Sequence, residues 1–129
     1  VAADDAPPPR PNHRRSLGAA GEAAAAAWYE QRGYQVLDRN WRRREGELDL
    51  VLARDATVVF CEVKTRSSSA FGAPIEAITH AKRQRLRVLA GVWLREHVSI
   101  RASVIRIDVA SVTRDPRGEF AIEVYEAVC

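Results

Sequence analysis

Glu47-Leu48-Asp49-Leu50-Val51-Leu52-Ala53-Arg54-Asp55-Ala56-Thr57-Val58-Val59-Phe60-Cys61-Glu62-Val63-Lys64 is the stretch whose reading decides the fold. Both halves alternate with the period of a half-buried strand. Arg54-Asp55-Ala56 between them is short enough for a hairpin, although it lacks an Asn-Gly or Asp-Gly pair. With Asp55-Ala56 as the turn, Arg54 faces Thr57, Asp49 faces Glu62 and Glu47 faces Lys64. Opposed residues share a face. One face is then Leu48, Leu50, Leu52, Val59, Cys61 and Val63, wholly apolar. The other carries Glu47, Asp49, Glu62 and Lys64 beside Val51, Val58 and Phe60. Opposed carboxylates repel across a sheet. A divalent cation would turn that repulsion into attraction, because hard cations take carboxylate oxygens.

The rest of the chain fits around this hairpin as one domain, residues 16–129, preceded by a Pro-rich disordered tail over residues 1–15. A content of 47% hydrophobic and 29% charged residues is that of a globular protein rather than a membrane or disordered one. No run approaches the ~20 apolar residues of a membrane span, and the opening residues lack the order of a signal peptide. Cys61 and Cys129 suggest no disulfide framework, which fits a reducing cytoplasm. The net charge of +3 is weak support for a nucleic-acid partner. Of the 20 cationic residues only Lys64 and Lys82 are lysines. Where arginine is the default, a lysine hints at a place that wants a compact ammonium.

Ser16 reads as the N-cap of an Ala-dense helix over Leu17 to Arg32, closed by Gly33. Its small residues would let it lie close on a sheet, and Glu22 is the only acidic residue of its first three turns. From helix position alone Glu22 is a plain surface residue. Tyr34 to Asp38 reads as a short strand and Arg39 to Gly46 as a basic loop, with Trp41 plugging the core. Thr65 to Pro74 reads as a polar loop and Pro74 to Ile78 as a helical turn. Thr79 caps a helix over Ala81 to Glu96 with the stripe Leu86, Leu89, Ala90, Trp93 and Leu94. Lys82 lies at the stripe's edge, pointing back toward the sheet, with Arg83 and Arg87 on an outer face. Ile100 to Val109 and Glu119 to Ala127 read as strands about an Asp115-Pro116-Arg117-Gly118 turn.

Phosphodiester hydrolysis needs a divalent metal, carboxylates to hold it, and a cation to steady developing charge. Asp49, Glu62 and Lys64 on one sheet face supply these parts, and Glu22 adds a carboxylate if its helix packs there. An exposed face with Glu47 and Lys64 as a cross-strand ion pair explains the same residues. On the residues alone neither reading prevails.

Asp49 with Glu62-Val63-Lys64 resembles the PD-(D/E)xK nuclease signature. More closely, the chain resembles the YraN-like family of small bacterial proteins, predicted endonucleases related to archaeal Holliday junction resolvases. The likeness runs in order through Gly21-Glu22-Ala23-Ala24, Gly33-Tyr34, Asn40-Trp41-Arg42 and Gly46-Glu47-Leu48-Asp49-Leu50. It continues through Phe60-Cys61-Glu62-Val63-Lys64-Thr65-Arg66, Lys82 with Arg85-Leu86, and Arg106-Ile107-Asp108-Val109. It departs at Leu48, where the signature has proline, and at Val88, where some related nucleases have tyrosine.

The resemblance implies an α/β restriction-endonuclease-like core, a mixed central sheet of four to five strands flanked by helices. It implies a metal-dependent DNA endonuclease, acting on branched DNA such as Holliday junctions. Glu22, Asp49 and Glu62 would hold Mg2+ or Mn2+, and Lys64 would be the catalytic lysine. Arg42, Arg43, Arg44, Arg66, Lys82, Arg83 and Arg87 would grip the nucleic-acid backbone, and a homodimer follows by analogy. The alternative is a non-catalytic nucleic-acid-binding module on the same fold.

Overall fold

The computed structural model describes residues 13–67 and 79–127. The tail over residues 1–12, the helical turn at 74–78, most of the expected polar loop and Cys129 lie outside these residues. The element order is α1 (His13–Glu30), β1 (Gln35–Arg43), β2 (Gly46–Arg54), β3 (Thr57–Arg66), α2 (His80–Glu96), β4 (Val104–Arg114) and β5 (Phe120–Tyr125). The five strands form one sheet in chain order. Neighbours are antiparallel except β3 and β4, which run parallel over ten pairs from Thr57–Val104 to Arg66–Thr113. A parallel pair needs a long crossover, and α2 lies in that connection. The mixed sheet with a helix on each face is consistent with a restriction-endonuclease-like core.

The hairpin turn is Asp55-Ala56, with Arg54 paired to Thr57. Asp55 takes φ +53, the left-handed conformation that Asp tolerates better than most residues. Leu50, Leu52, Val59 and Cys61 then face α1 through Ala25, Ala26 and Tyr29. Val51, Val58 and Phe60 face α2 through Leu86, Leu89, Ala90 and Trp93. Phe60 and Trp93 meet edge to face at 5.7 Å. Burying each such side chain is worth about 1.5–3 kcal/mol, so these two clusters fix both helices to the sheet.

Several expectations need correction. α1 begins at His13, so Ser16 lies inside it and residues 13–15 belong to the helix rather than the tail. The basic loop is a strand: β1 continues to Arg43, because Arg39, Trp41, Arg42 and Arg43 all pair with β2. A bulge between Val36 and Asp38 shifts its register. Trp41 is the core plug expected, buried against Leu48 and the α2 cluster. Leu48 was expected beside Leu50 but packs on the opposite face, with Val51. The alternation inverts where the register passes from Arg39–Leu50 to Trp41–Leu48, around Asn40 and Asp49. Asn40 takes φ +49 there, which accommodates the kink. β4 starts later and ends later than expected, its central residues Ile107 to Val112 buried. The Asp115 turn holds, with the Asp115 carboxylate accepting from the backbone N–H of Arg117 and Glu119 at 2.9 Å each.

Candidate functional site

The kink at Asp49 makes the site. The β2–β3 ladder runs from Arg54–Thr57 to Leu50–Cys61 and goes no further. Beyond it the Asp49 carboxylate replaces the missing strand partner, its Oδ2 accepting from the Val63 N–H at 2.8 Å. Glu47 does not pair with Lys64 as the extended register would have it. It pairs with Arg42, its cross-strand neighbour on β1. Lys64 instead turns to Glu62 on its own strand, 3.4 Å from Oε1, and Lys82 reaches the same oxygen from α2 at 2.7 Å.

A cavity of about 240 Å³ opens over these groups, lined by Gly46, Glu47, Asp49, Glu62, Lys82, Arg85, Leu86 and Leu89. Asp49 and Glu62 are buried, at 8% and 7% exposure. Burial, together with Glu62, Glu22 and Glu47, pushes the Asp49 carboxyl up to about 8 against the pull of the Val63 N–H. Burial also pulls the Lys64 ammonium below the usual lysine range, helped by its contact with Lys82 and opposed by Glu62. Burial acts the same way on Lys82, but its bonds to Glu62 and Lys64 outweigh it and hold its proton more tightly than usual.

Glu22 approaches from α1. Gly21 lies so close to β3 that a Cβ there would stand 2.0 Å from Thr65 Oγ1. That close approach brings Glu22 to the sheet end and makes it more than a surface residue. Its carboxyl is raised by burial, Glu47 and Glu62, while the Asn40 amide, 3.1 and 3.3 Å from its two oxygens, holds it down. A second cleft of about 400 Å³ runs past Gly18, Ala19, Glu22, Asn40, Arg42 and Glu47. Four carboxylates, Glu22, Glu47, Asp49 and Glu62, are thus electrostatically linked, yet among the described residues no three His, Cys, Asp or Glu side chains converge closely enough to hold a metal ion as they stand.

The expected backbone-gripping residues divide. Arg42 is exposed and paired with Glu47. Arg43 is bound to Glu96 and stacked 4.4 Å over Trp41. Arg44 and Arg87 are exposed, while Arg66 at the end of β3 is half-buried. Arg83 is half-buried rather than on an open outer face. Lys82 belongs to the Glu62 site. Asn40 and Arg85 are the participants that reading for chemistry missed. Asn40 had a signal, since it stands in the quoted Asn40-Trp41-Arg42 match, but nothing in the sequence shows that it faces Glu22.

Asp49 and Glu62 fit a hard divalent cation by donor type and charge. Carboxylate oxygens are what Mg2+ and Mn2+ take. A buried carboxyl whose charge is also disfavoured by three neighbouring carboxylates is short of positive charge.

The uncharacterised protein family UPF0102 matches residues 21–112, a span that contains Glu22, Asp49, Glu62, Lys64 and Lys82. A relative from Clavibacter michiganensis is 47% identical over 115 residues, covering 89% of this chain and 97% of its own. One from Beutenbergia cavernae is 51% identical over 108 residues, covering 84% and 91%, and one from Frankia alni 50% over 108 residues, covering 84% and 89%. All three carry the name UPF0102 protein. With a family match over most of its length and relatives of this similarity covered almost end to end, the chain belongs to the UPF0102 family.

Proposed function

We propose that the protein is a metal-dependent DNA endonuclease of the PD-(D/E)xK type, akin to the YraN-like nucleases, with Asp49 and Glu62 as the principal metal ligands. The observation that carries this reading is the convergence of buried Asp49 and Glu62 on one cavity, with Lys64 against Glu62. A structural ion pair would not need a carboxyl held at about 8 by burial and by neighbouring carboxylates.

When bound, Mg2+ or Mn2+ would polarise the phosphate and make water a better nucleophile. Asp49 is preset for its role, since the Val63 N–H fixes its orientation and leaves acceptor capacity for a cation. Glu22, held by Asn40, faces the same region from α1 and would hold a water or a second cation. Lys64, with its proton loosened by burial, would orient the attacking water and steady negative charge on the phosphate. Water oxygen bonds to phosphorus, one ester P–O bond breaks, and the leaving oxygen takes up a proton. Branched DNA, Holliday junctions included, is the substrate the resemblance favours. Exposed Arg44 and Arg87 would add backbone contacts, which makes binding strongly salt-dependent.

The test is cleavage of a four-way junction and of linear duplex DNA with Mg2+ or Mn2+, alongside Glu62→Ala and Lys64→Ala. Wild-type cleavage lost by at least about 100-fold in either variant is expected. Cleavage that survives both substitutions places the activity elsewhere. A second reading, a non-catalytic nucleic-acid-binding module, is favoured by the lack of a converged three-ligand group among the described residues. DNA binding indifferent to EDTA, without cleavage, would establish it.

A further inference from the structure

The chain has only two lysines, and both ammonium groups meet one carboxylate oxygen. Every other cationic residue is arginine, whose planar fork suits a carboxylate's two oxygens, while lysine is a compact point charge. Glu62 Oε1 therefore has a cation of the kind that most nearly stands in for a metal ion. The two lysines are not equivalent. Lys64 shares β3 with Glu62 and moves with it. Lys82 comes from the first turn of α2 across the cavity, on a flexible stem, its side chain 30% exposed.

Nothing in α2 itself calls for a cation there. The N-terminal end of a helix carries partial positive charge, so an ammonium in the first turn is misplaced. Thr79 already caps the helix through its hydroxyl, which accepts from the Lys82 N–H at 3.1 Å. No acidic residue occupies the first turn of α2 to offset the charge. The anion that holds Lys82 is Glu62, at 2.7 Å.

We propose that Lys82 is the counter-ion of Glu62 in the metal-free protein and that a divalent cation gains Glu62 only by displacing it. This rests on the metal-site reading of Asp49 and Glu62. Lys82 is then a positioning residue, acting through Glu62. It holds the carboxylate in place when no metal is present, and it weakens metal binding as the counterpart of that service. Oε1 already carries both ammonium groups, so a divalent cation arriving there adds strong repulsion, and Lys82, the nearer of the two and the one that comes from another element, is the one that must leave.

Titration of the full-length chain with Mn2+, read by isothermal calorimetry, tests this without any turnover. Lys82→Met, which keeps most of the stem and removes the charge, is expected to bind Mn2+ about tenfold more tightly than wild type. Lys82→Arg restores the charge and is expected to return affinity to within about threefold of wild type. The metal-free Lys82→Met protein should also melt at a lower temperature than wild type, with the difference closing on Mn2+ addition. Lys82→Gln is the substitute if Lys82→Met does not fold. Tightening in Lys82→Met that Lys82→Arg reverses supports the exchange. Unchanged or weaker binding in Lys82→Met, with wild-type binding lost in Asp49→Asn, overturns it and leaves the metal site standing. Equal tightening in Lys82→Arg also overturns it, because charge is then not the cause. If neither wild type nor Lys82→Met binds Mn2+, the metal-site reading falls and this proposal with it.

Discussion

Asp49 shows how much one residue can be asked to do. Its Oδ2 completes the hydrogen bonding of β3 at Val63, and its carboxyl is raised from 3.8 to about 8, chiefly by burial and then by Glu62. A raised pKa means that the folded protein keeps a proton the unfolded chain has released. The stabilisation is complete below about 4 and is lost as pH rises toward about 8. The metal-free protein should therefore lose stability across that window. Asp49→Asn keeps an acceptor for Val63 and removes the charge. It should flatten this part of the slope and stabilise the apo protein at neutral pH, by on the order of 2–4 kcal/mol. Urea unfolding at several pH values measures both effects. A slope unchanged by Asp49→Asn would mean that another group carries the pH dependence. At Asn40 the expectation is different. Asn40→Ala removes the amide that holds Glu22 and should raise the Glu22 pKa further, readable by NMR titration of its carboxyl carbon.

At the scale of elements, the position of α1 decides whether Glu22 belongs to the site. Gly21 has no side chain, and α1 uses that absence to approach Thr65 on β3. A Cβ would meet Thr65 Oγ1 at 2.0 Å, Cγ2 at 2.7 Å and Cβ at 2.9 Å. Gly21→Ala should thus destabilise the protein by about 1–3 kcal/mol, the usual cost of overpacking, despite alanine's better helix propensity. It should also swing Glu22 away from Asn40. Thermal melting reads the first effect, and a higher melting temperature would contradict the packing argument. Much of this scale was open to inspection in the sequence. The alternation on either side of Asp55-Ala56 located β2 and β3 and their register down to Leu50–Cys61. The Leu86, Leu89, Ala90 and Trp93 stripe located α2 and its buried face. The fate of Arg39 to Arg43 was not legible, because a run of arginines carries no period. Those residues form a strand because β2 offers an unpaired edge, and Trp41 fastens it to the core.

Across the whole molecule, one buried cluster ties distant parts together. Asp108 on β4 is wholly buried and accepts from Tyr29 of α1 at 2.7 Å. Arg106 grips it with two bonds of 2.9 Å and donates to the Tyr34 hydroxyl at 3.1 Å. The Ala127 N–H, beyond β5, closes on the same carboxylate at 3.1 Å. Helix, sheet and chain end thus meet at one charge. Asp108→Ala leaves the Arg106 guanidinium with Glu126, at 3.6 Å, as its remaining ionic partner and strands the Tyr29 hydroxyl, and should cost about 3 kcal/mol. The loss should appear as one cooperative transition at lower denaturant rather than as local fraying. A loss below about 1 kcal/mol would mean that solvent reaches the cluster.

The sequence by itself determined the hairpin, its turn, its register as far as Leu50–Cys61, the buried stripe of α2, the plug at Trp41 and the acidic and basic residues worth watching. Those are local properties, set by side-chain period and turn length, which neighbouring residues report to one another. The tertiary structure alone decided which of them meet. It inverted the alternation at Asn40 and Asp49, gave Glu47 to Arg42, brought Glu22 down through Gly21, and set Lys82 on the oxygen that Lys64 also holds. Contacts between residues far apart in the chain depend on how closely helices and strands approach. That closeness is fixed by the packing of side chains from every element at once.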